Sequence, residues 1–379
     1  MNTKSSKILL NVINLKSGGG LHILRKIMQA TASEPIFDLY YVLVKCDFDE
    51  DPYRDAKNFI FIKTHSIFEI SYLFFLREYF LIPYLTIRYK PDALFTFSDL
   101  PSFSTCRQFM FYDWAFATTN SKKIFKKYRI FPRFERTLKL VLFRLTCSVP
   151  YLYFCHLRCH AIELEKFSGR RVVHKFSYFD DFDDNVTGTI KAAQKSDLKF
   201  LIYPALPFPH KNFQLLANLV KKYDISGAGI RISLTVTYDE FTKLIESNES
   251  ESDFLKLGID FLGRLSKNQV MDYYVKSSAL VFPSNIESLG IPLIEAMRSS
   301  LPILVSDLPY AREVCGDYAI YFDPESETSL YEAICKLRFV ERDLLKQIYL
   351  RMCSENRTNS ENEFSFFLRY IFKNTFSSR

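Results

Sequence analysis

Residues 279–306 read ALVFPSNIESLGIPLIEAMRSSLPILVS. ALVFPS is a short β-rich run that Pro283 ends. Pro292 then marks a helix start, because proline is tolerated in the first helical turn. LIEAMRSS is the helix and LPILVS the next strand. Strand, loop, helix and strand in this order make one βαβ step of a parallel sheet. Two glutamates, Glu287 and Glu295, bracket mostly apolar residues within it. A buried carboxylate is costly unless paired or hydrogen-bonded, so both acids need a reason. The spacing predicts Glu287 in the loop before the helix and Glu295 in the first turn, beside free amides. That corner lies at the carboxyl end of a strand, where open α/β sheets bind ligands. A helix N-terminus attracts anions, and Gly290 permits close approach to the backbone. Taken singly, Glu287 reads as a solvated loop acid and Glu295 as an acid well placed near a helix start. Taken together they suit a ligand that carries hydroxyls beside phosphates.

The same alternation runs outward in both directions. Upstream come LKFLIYPA with helix FQLLANLVKKY, IRISLTVT with EFTKLIES, and GIDFLG with KNQVMDYYVKSS. Downstream, a short PYAREVCG segment precedes strand YAIYF. The first half opens on strand KILLNVINL, then Gly18-Gly19-Gly20 and a helical LHILRKIMQA. DLYYVLVKC, NFIFIKT, DALFTFS and QFMFYDW are further strands, and ISYLFFLREYFLIPYLTIRY is an apolar helical region containing Pro83. The acidic, turn-prone stretch 179–197 separates the two runs. The expected organisation is an N-terminal Rossmann-like domain over 1–178, a linker over 179–197, a C-terminal Rossmann-like domain over 198–355 and a terminal helix over 356–379.

Composition sets outer limits. At 379 residues and 48% hydrophobic content, two domains with full cores are expected. The net charge of +7 suits anionic ligands or an anionic membrane surface, and does not argue for nucleic acid. The eight cysteines lack regular spacing and the first apolar run reads as a strand, so reduced thiols and a cytoplasmic setting are expected. The longest apolar candidate, LKLVLFRLTCSVPYLYFCHL, is interrupted by Lys139, Arg144 and Pro150, which argues against a membrane span.

The stretch from FLGRLS through PSNIESLGIPLIEAMRSSLPILVSDLPYAREVCGDYAIYFDPES resembles the donor-binding segment of retaining GT-B glycosyltransferases, in particular glycosyltransferase family 4. Glu287 and Glu295 match that family's paired glutamates. Ser299-Ser300-Leu301-Pro302 matches its turn, with serine where glycine is usual. Gly316-Asp317 and Phe322-Asp323-Pro324 match its close. The resemblance implies the GT-B fold, two facing Rossmann-like domains with a deep cleft between them, and a terminal helix that crosses back to the N-terminal domain. It implies that Glu287 contacts donor-sugar hydroxyls, that Glu295 holds the nucleotide ribose, and that the backbone of Ser288, Leu289 and Gly290 approaches sugar and phosphates.

Other candidate residues are weighed against that resemblance. Lys211, in the loop LPFPHKN after a strand, is a compact counter-charge for a diphosphate. The family's usual upstream arginine is absent, with Tyr203-Pro204-Ala205 in its place, and Arg264 is a candidate replacement. The glycine run fails the dinucleotide fingerprint and by itself reads as a flexible turn. The resemblance makes Gly19 and Gly20 donor-site residues and sets Asp113, in FMFYDWAF, where many relatives have a histidine. Residues 121–139, SKKIFKKYRIFPRFERTLK, hold eight basic residues against one acid, interleaved with Phe, Ile and Tyr. A solvated helix face is the ordinary reading, and docking on anionic lipid the sharper one. In CHLRCH, Cys155 and Cys159 are predicted to share a helix face, as are His156 and His160. Without a second ligand pair nearby, zinc is not expected.

The expected function is retaining transfer of a hexosyl unit from a nucleotide-sugar to a lipid-linked glycan acceptor, building bacterial surface polysaccharide such as O-antigen, capsule or lipopolysaccharide. No cofactor and no metal are expected, and no nucleic-acid partner. The expected location is cytoplasmic, peripheral on the inner membrane. A nucleotide-sugar epimerase of the same fold and a non-catalytic membrane-associated protein are the alternatives.

Overall fold

The computed structural model of the chain describes residues 5–15, 19–49, 57–70, 73–119, 122–175, 199–356 and 363–376. The expected linker, 179–197, lies outside them. The chain forms two compact α/β units. The first combines residues from 1–120, 129–177 and 359–379, and the second residues from 121–128 and 178–358.

The first unit is a parallel sheet of seven strands. They are β1 (Lys7–Asn11), β2 (Leu39–Val44), β3 (Phe59–Lys63), β4 (Ala93–Thr96), β5 (Arg107–Phe111), β6 (Leu152–Cys155) and β7 (Val172–His174), in the order β3-β2-β1-β4-β5-β6-β7. The central strands are buried nearly throughout, as β4 ALFT and β6 LYFC show. A parallel sheet covered on both faces demands such continuous apolar runs. The helix Glu363–Phe376 belongs to this unit. Its Phe364, Phe367, Leu368 and Ile371 share one core with Ile8, Leu10, Phe95, Phe111 and Phe154.

Between β3 and β4 the helical path is Phe74–Leu76, a π-helical turn Arg77–Leu81, and Ile82–Tyr89. Pro83 sits in the first turn of that last piece, so the proline is absorbed where the helix widens. The π turn carries a fully buried Glu78, which accepts from the Arg77 guanidinium at 2.7 Å and from the Ser98 hydroxyl at 2.5 Å.

The second unit is a parallel sheet of six strands. They are β8 (Lys199–Tyr203), β9 (Ile230–Leu234), β10 (Ile259–Phe261), β11 (Ala279–Phe282), β12 (Ile303–Ser306) and β13 (Ile320–Phe322), in the order β10-β9-β8-β11-β12-β13. Two Rossmann-like α/β units are what the strand pattern predicts. Three local readings change. EFTKLIES is helical only to Thr242, and a separate helix Glu251–Leu257 starts behind the Ser250–Asp253 capping box. PYAREVC is a full helix, Pro309–Cys315. CHLRCH is not one helix: Cys155 ends β6, and the helix Arg158–Ser168 begins after His156. Cys155 and Cys159 therefore do not share a helix face, nor do His156 and His160.

Candidate nucleotide-sugar site

The strand order of the second unit reverses direction between β8 and β11, which are neighbours although not consecutive in the chain. Loops after two such strands diverge and leave a crevice at their carboxyl ends. Lys211 follows β8 and Glu287 follows β11, and the two meet there, with Lys211 Nζ 2.5 Å from Glu287 Oε1. Their side chains are only 14% and 13% exposed. A largely buried ion pair of this kind is costly to break from one side.

Two buried tyrosines hold the loops that present the pair. The Tyr203 hydroxyl donates to the Lys211 carbonyl at 2.8 Å, and the Tyr310 hydroxyl to the Ser284 carbonyl at 2.7 Å. Burial pushes both phenols well above their ordinary pKa, and the negative charge of Glu287 adds to the effect. The loops are also tied directly: Asn285 N–H donates to the His210 carbonyl at 2.8 Å. His210 Nδ1 in turn lies 3.0 Å from the Tyr128 hydroxyl, so the 121–128 segment buttresses the Lys211 loop. After Lys211 the chain turns through Asn212, in a left-handed conformation that asparagine tolerates. Its side-chain amide donates to the Pro324 carbonyl at 2.9 Å, joining the loop to the Phe322-Asp323-Pro324 segment.

Ser288 and Leu289 lead to Gly290, the residue preceding the helix Ile291–Arg298. Gly290 has φ +81°, and a Cβ there would lie 3.0 Å from Leu293 Cδ1, so this corner requires glycine. The helix begins one residue before Pro292, which makes Glu295 its fifth residue. Glu295 is therefore not in the first turn beside free amides, as its spacing predicts; it lies one turn deeper. There its Oε2 accepts from the hydroxyl of the fully buried Tyr274 at 3.2 Å. Burial raises the Glu295 carboxyl above its ordinary 4.5, opposed by Lys267, by the Tyr274 hydroxyl and by Arg298. At the far end of the same βαβ step, Ser300 has φ +49°, so it occupies the left-handed position where the resemblance leads one to expect glycine.

The remaining candidates are more dispersed. Arg264 follows β10, and its side chain is 71% exposed, with its guanidinium 3.4 Å from Glu240. Gly19 and Gly20 open the helix Gly19–Ser33 of the first unit, and Gly18 is outside the described residues. A Cβ on Gly20 would lie 3.1 Å from Leu15 Cα, so close packing against its own loop already favours glycine there. Asp113 is exposed just beyond the carboxyl end of β5. Nearby, Thr118 Oγ1 lies 2.8 Å from His160 Nδ1, while His156 Nδ1 lies 3.1 Å from the buried Glu363. Each histidine of CHLRCH thus serves a different structural contact.

Sequence reading missed Tyr274 and Tyr310, and noticed Tyr203 only as the residue standing where an arginine was expected. A buried tyrosine looks like any other core aromatic until its hydroxyl is located.

Residues 189–346 match the family described as Glycosyl transferases group 1. Over 141 residues the chain is 30% identical to the O-antigen chain mannosyltransferase RfbU of Salmonella typhimurium, covering 37% of this chain and 39% of that protein. Over 74 residues it is 34% identical to the serotype-specific mannosyltransferase WbdA of Escherichia coli, covering 20% of this chain and 9% of that protein. The chain thus spans well under half the length of these curated relatives. Among solved structures, WaaG, a glycosyltransferase involved in lipopolysaccharide biosynthesis, superposes with a TM-score of 0.65 at 13% identity, covering 98% of this chain and 99% of that one. Sucrose-phosphate synthase from Thermosynechococcus elongatus gives 0.65 at 12% identity, covering 99% and 100%. At such identities the likeness is one of fold, and the fold is GT-B: two parallel-sheet, Rossmann-like domains.

Proposed function

We propose that this chain is a retaining glycosyltransferase that moves a hexosyl unit, with mannose the first candidate, from a nucleoside-diphosphate sugar to a lipid-linked glycan in O-antigen or related lipopolysaccharide synthesis. The observation that carries the reading is the Lys211–Glu287 pair at the reversal of the second sheet, within the segment that matches the group 1 family. The names of the relatives favour mannose and O-antigen.

In this reading a diphosphate binds Lys211 Nζ and draws it away from Glu287. The released carboxylate then accepts hydrogen bonds from donor-sugar hydroxyls. The Ser288–Gly290 corner lets the ligand reach the backbone, and Glu295, held by Tyr274, binds the ribose. Lysine and the helix N-terminus stabilise the charge that develops on the departing phosphate, which is commonly the largest catalytic contribution. This chemistry uses no metal and no cofactor. On the first unit Asp113 is proposed as a catalytic residue and Gly19 and Gly20 as donor-binding residues, and on the second Arg264 is assigned to the nucleotide base.

Thermal shift with a panel of nucleotide-sugars tests donor binding. Transfer to a lipid-linked acceptor, with the anomeric configuration of the product read by NMR, tests the reaction. A guanosine-diphosphate mannose shift that Lys211→Ala removes is the expected result. Equal indifference to every nucleotide-sugar would refute the reading.

A further inference from the structure

The lysine loop of the candidate site is held in part by chain that comes from elsewhere. Residues 121–128 lie between β5 and β6 of the first sheet, and the chain up to 120 and from 129 belongs to the first unit. The segment itself belongs to the second unit. Its sequence is SKKIFKKY. Around a short helical turn, Lys122–Phe125, the apolar Ile124 and Phe125 are buried, as is Tyr128, while Lys123, Lys126 and Lys127 are exposed. The segment reaches two loops of the second sheet. Lys123 Nζ lies 3.1 Å from Glu325, after β13, and this exposed pair is worth little. The Tyr128 hydroxyl lies 3.0 Å from His210 Nδ1, after β8.

His210 is the handle by which that loop can be gripped. Pro207 and Pro209 on its N-terminal side have no N–H to donate. The His210 ring stacks on Phe208, with centroids 5.6 Å and planes 14° apart, and its carbonyl accepts from Asn285 N–H at 2.8 Å. The next residue is Lys211, whose carbonyl takes the Tyr203 hydroxyl. With the main chain fixed on both sides, only the lysine side chain has to move when Nζ leaves Glu287 for a phosphate. A loop free to shift would also lose conformational entropy each time a ligand bound. The buried ring of Tyr128 packs as a phenylalanine ring would. Its hydroxyl adds the bond to His210.

We propose that Tyr128 is a positioning residue for donor binding: its hydroxyl, through His210, holds the loop after β8 where Lys211 Nζ meets the diphosphate. The inference rests on the proposed function, which makes Lys211 the counter-charge of that diphosphate. Tyr128 acts through His210 and Lys211 and not on the ligand itself. Its effect on affinity therefore exists only while Lys211 is present. A tyrosine that merely stabilised the second unit would lower the melting temperature and leave the affinity of the folded protein unchanged.

The test is a double-mutant cycle on the full chain, read by calorimetric titration of guanosine diphosphate and of uridine diphosphate. Titration is carried to millimolar nucleotide so that the weakened Lys211→Ala complex is still measured. The wild type is expected to bind one of the two, and Lys211→Ala to bind it about tenfold more weakly or worse. Tyr128→Phe should weaken binding about three- to tenfold, the effect of one hydrogen bond, and should change nothing further once Lys211 is alanine. His210→Phe, which can still stack on Phe208, breaks the same bond from the other side and should match Tyr128→Phe. It takes the place of that variant should circular dichroism melts show it unfolded. Tyr128→Phe binding as tightly as wild type, or losing as much affinity without Lys211 as with it, would overturn the proposal. The Lys211→Ala loss would then leave the donor-site reading standing. A wild type that binds neither nucleotide, or Lys211→Ala binding as wild type does, would overturn that reading and this proposal with it.

Discussion

The two sheets reverse strand order in the same way, with the first strand of each flanked by the second and the fourth. What stands at the two reversals differs. In the first unit Asn11 ends β1 and Thr96 ends β4, and the amide donates to the hydroxyl at 3.0 Å with both residues fully buried. In the second unit a lysine and a glutamate leave the strands on longer loops and pair at a partly open edge. One topology thus supplies two crevices, and the loops decide which holds charge. A neutral, buried pair closes one sheet end; a largely buried ion pair stands at the other.

The sharpest way to break this contrast is Glu287→Ala. Transfer should fall by about 10²–10³-fold or more, measured as product formed from the nucleotide-sugar, with the fold intact by circular dichroism. Rates near wild type would remove Glu287 from the site. Next in size is Glu295→Gln, which should weaken donor binding about tenfold by calorimetry, the worth of a hydrogen bond to a charged group. The same variant has a pH signature. The folded-state pKa of Glu295 is raised, so its contribution to stability is full below the ordinary 4.5 and is lost as pH rises through the raised value. The melting temperature of wild type relative to Glu295→Gln should therefore fall over that rise. A flat difference would mean that burial does not shift this acid.

At the other reversal, Asn11→Ala should cost about 1–3 kcal/mol in denaturant unfolding, because it strands the buried Thr96 hydroxyl. It should leave the nucleotide-sugar thermal shift in place, which is what separates a structural pair from a binding one. Ser300→Gly should stabilise by about 1 kcal/mol, because it relieves a left-handed serine at the cost of some unfolded-state entropy. Arg264→Ala should be the mildest, within about 0.5 kcal/mol of wild type in stability, since its one ion pair is exposed and long. A large loss of nucleotide affinity in that variant would give Arg264 a part in the site that its position does not reveal.

Much of this was legible in the chain. Buried parallel strands such as ALVF and ILVS announce themselves as apolar runs between glycine, proline and serine. The loop positions of Glu287 and Lys211 were legible because each follows such a run at the carboxyl end of a strand. Glu295 was misplaced by a turn because Gly290, not Pro292, sets the helix start, and that depends on a backbone angle no spacing records. The strand LYFC was hidden by the histidines and cysteines after it, which suggested helical pairing. Basic residues between 121 and 139 pointed to a solvated face, but Lys139 and Arg136 turn inward. Their direction is set by Asp99 and Phe116, distant in sequence.

The helix Glu363–Phe376 has a consequence for the order of assembly. It is synthesised after every residue of the second sheet, yet its phenylalanines fill the core of the first. During translation the second unit can complete its own core while Phe95, Phe111 and Phe154 still wait for theirs. The longest wait for native contacts therefore falls on the more aromatic sheet, where exposed apolar surface invites association with other chains. A chain stopped before residue 363 would carry that exposure permanently.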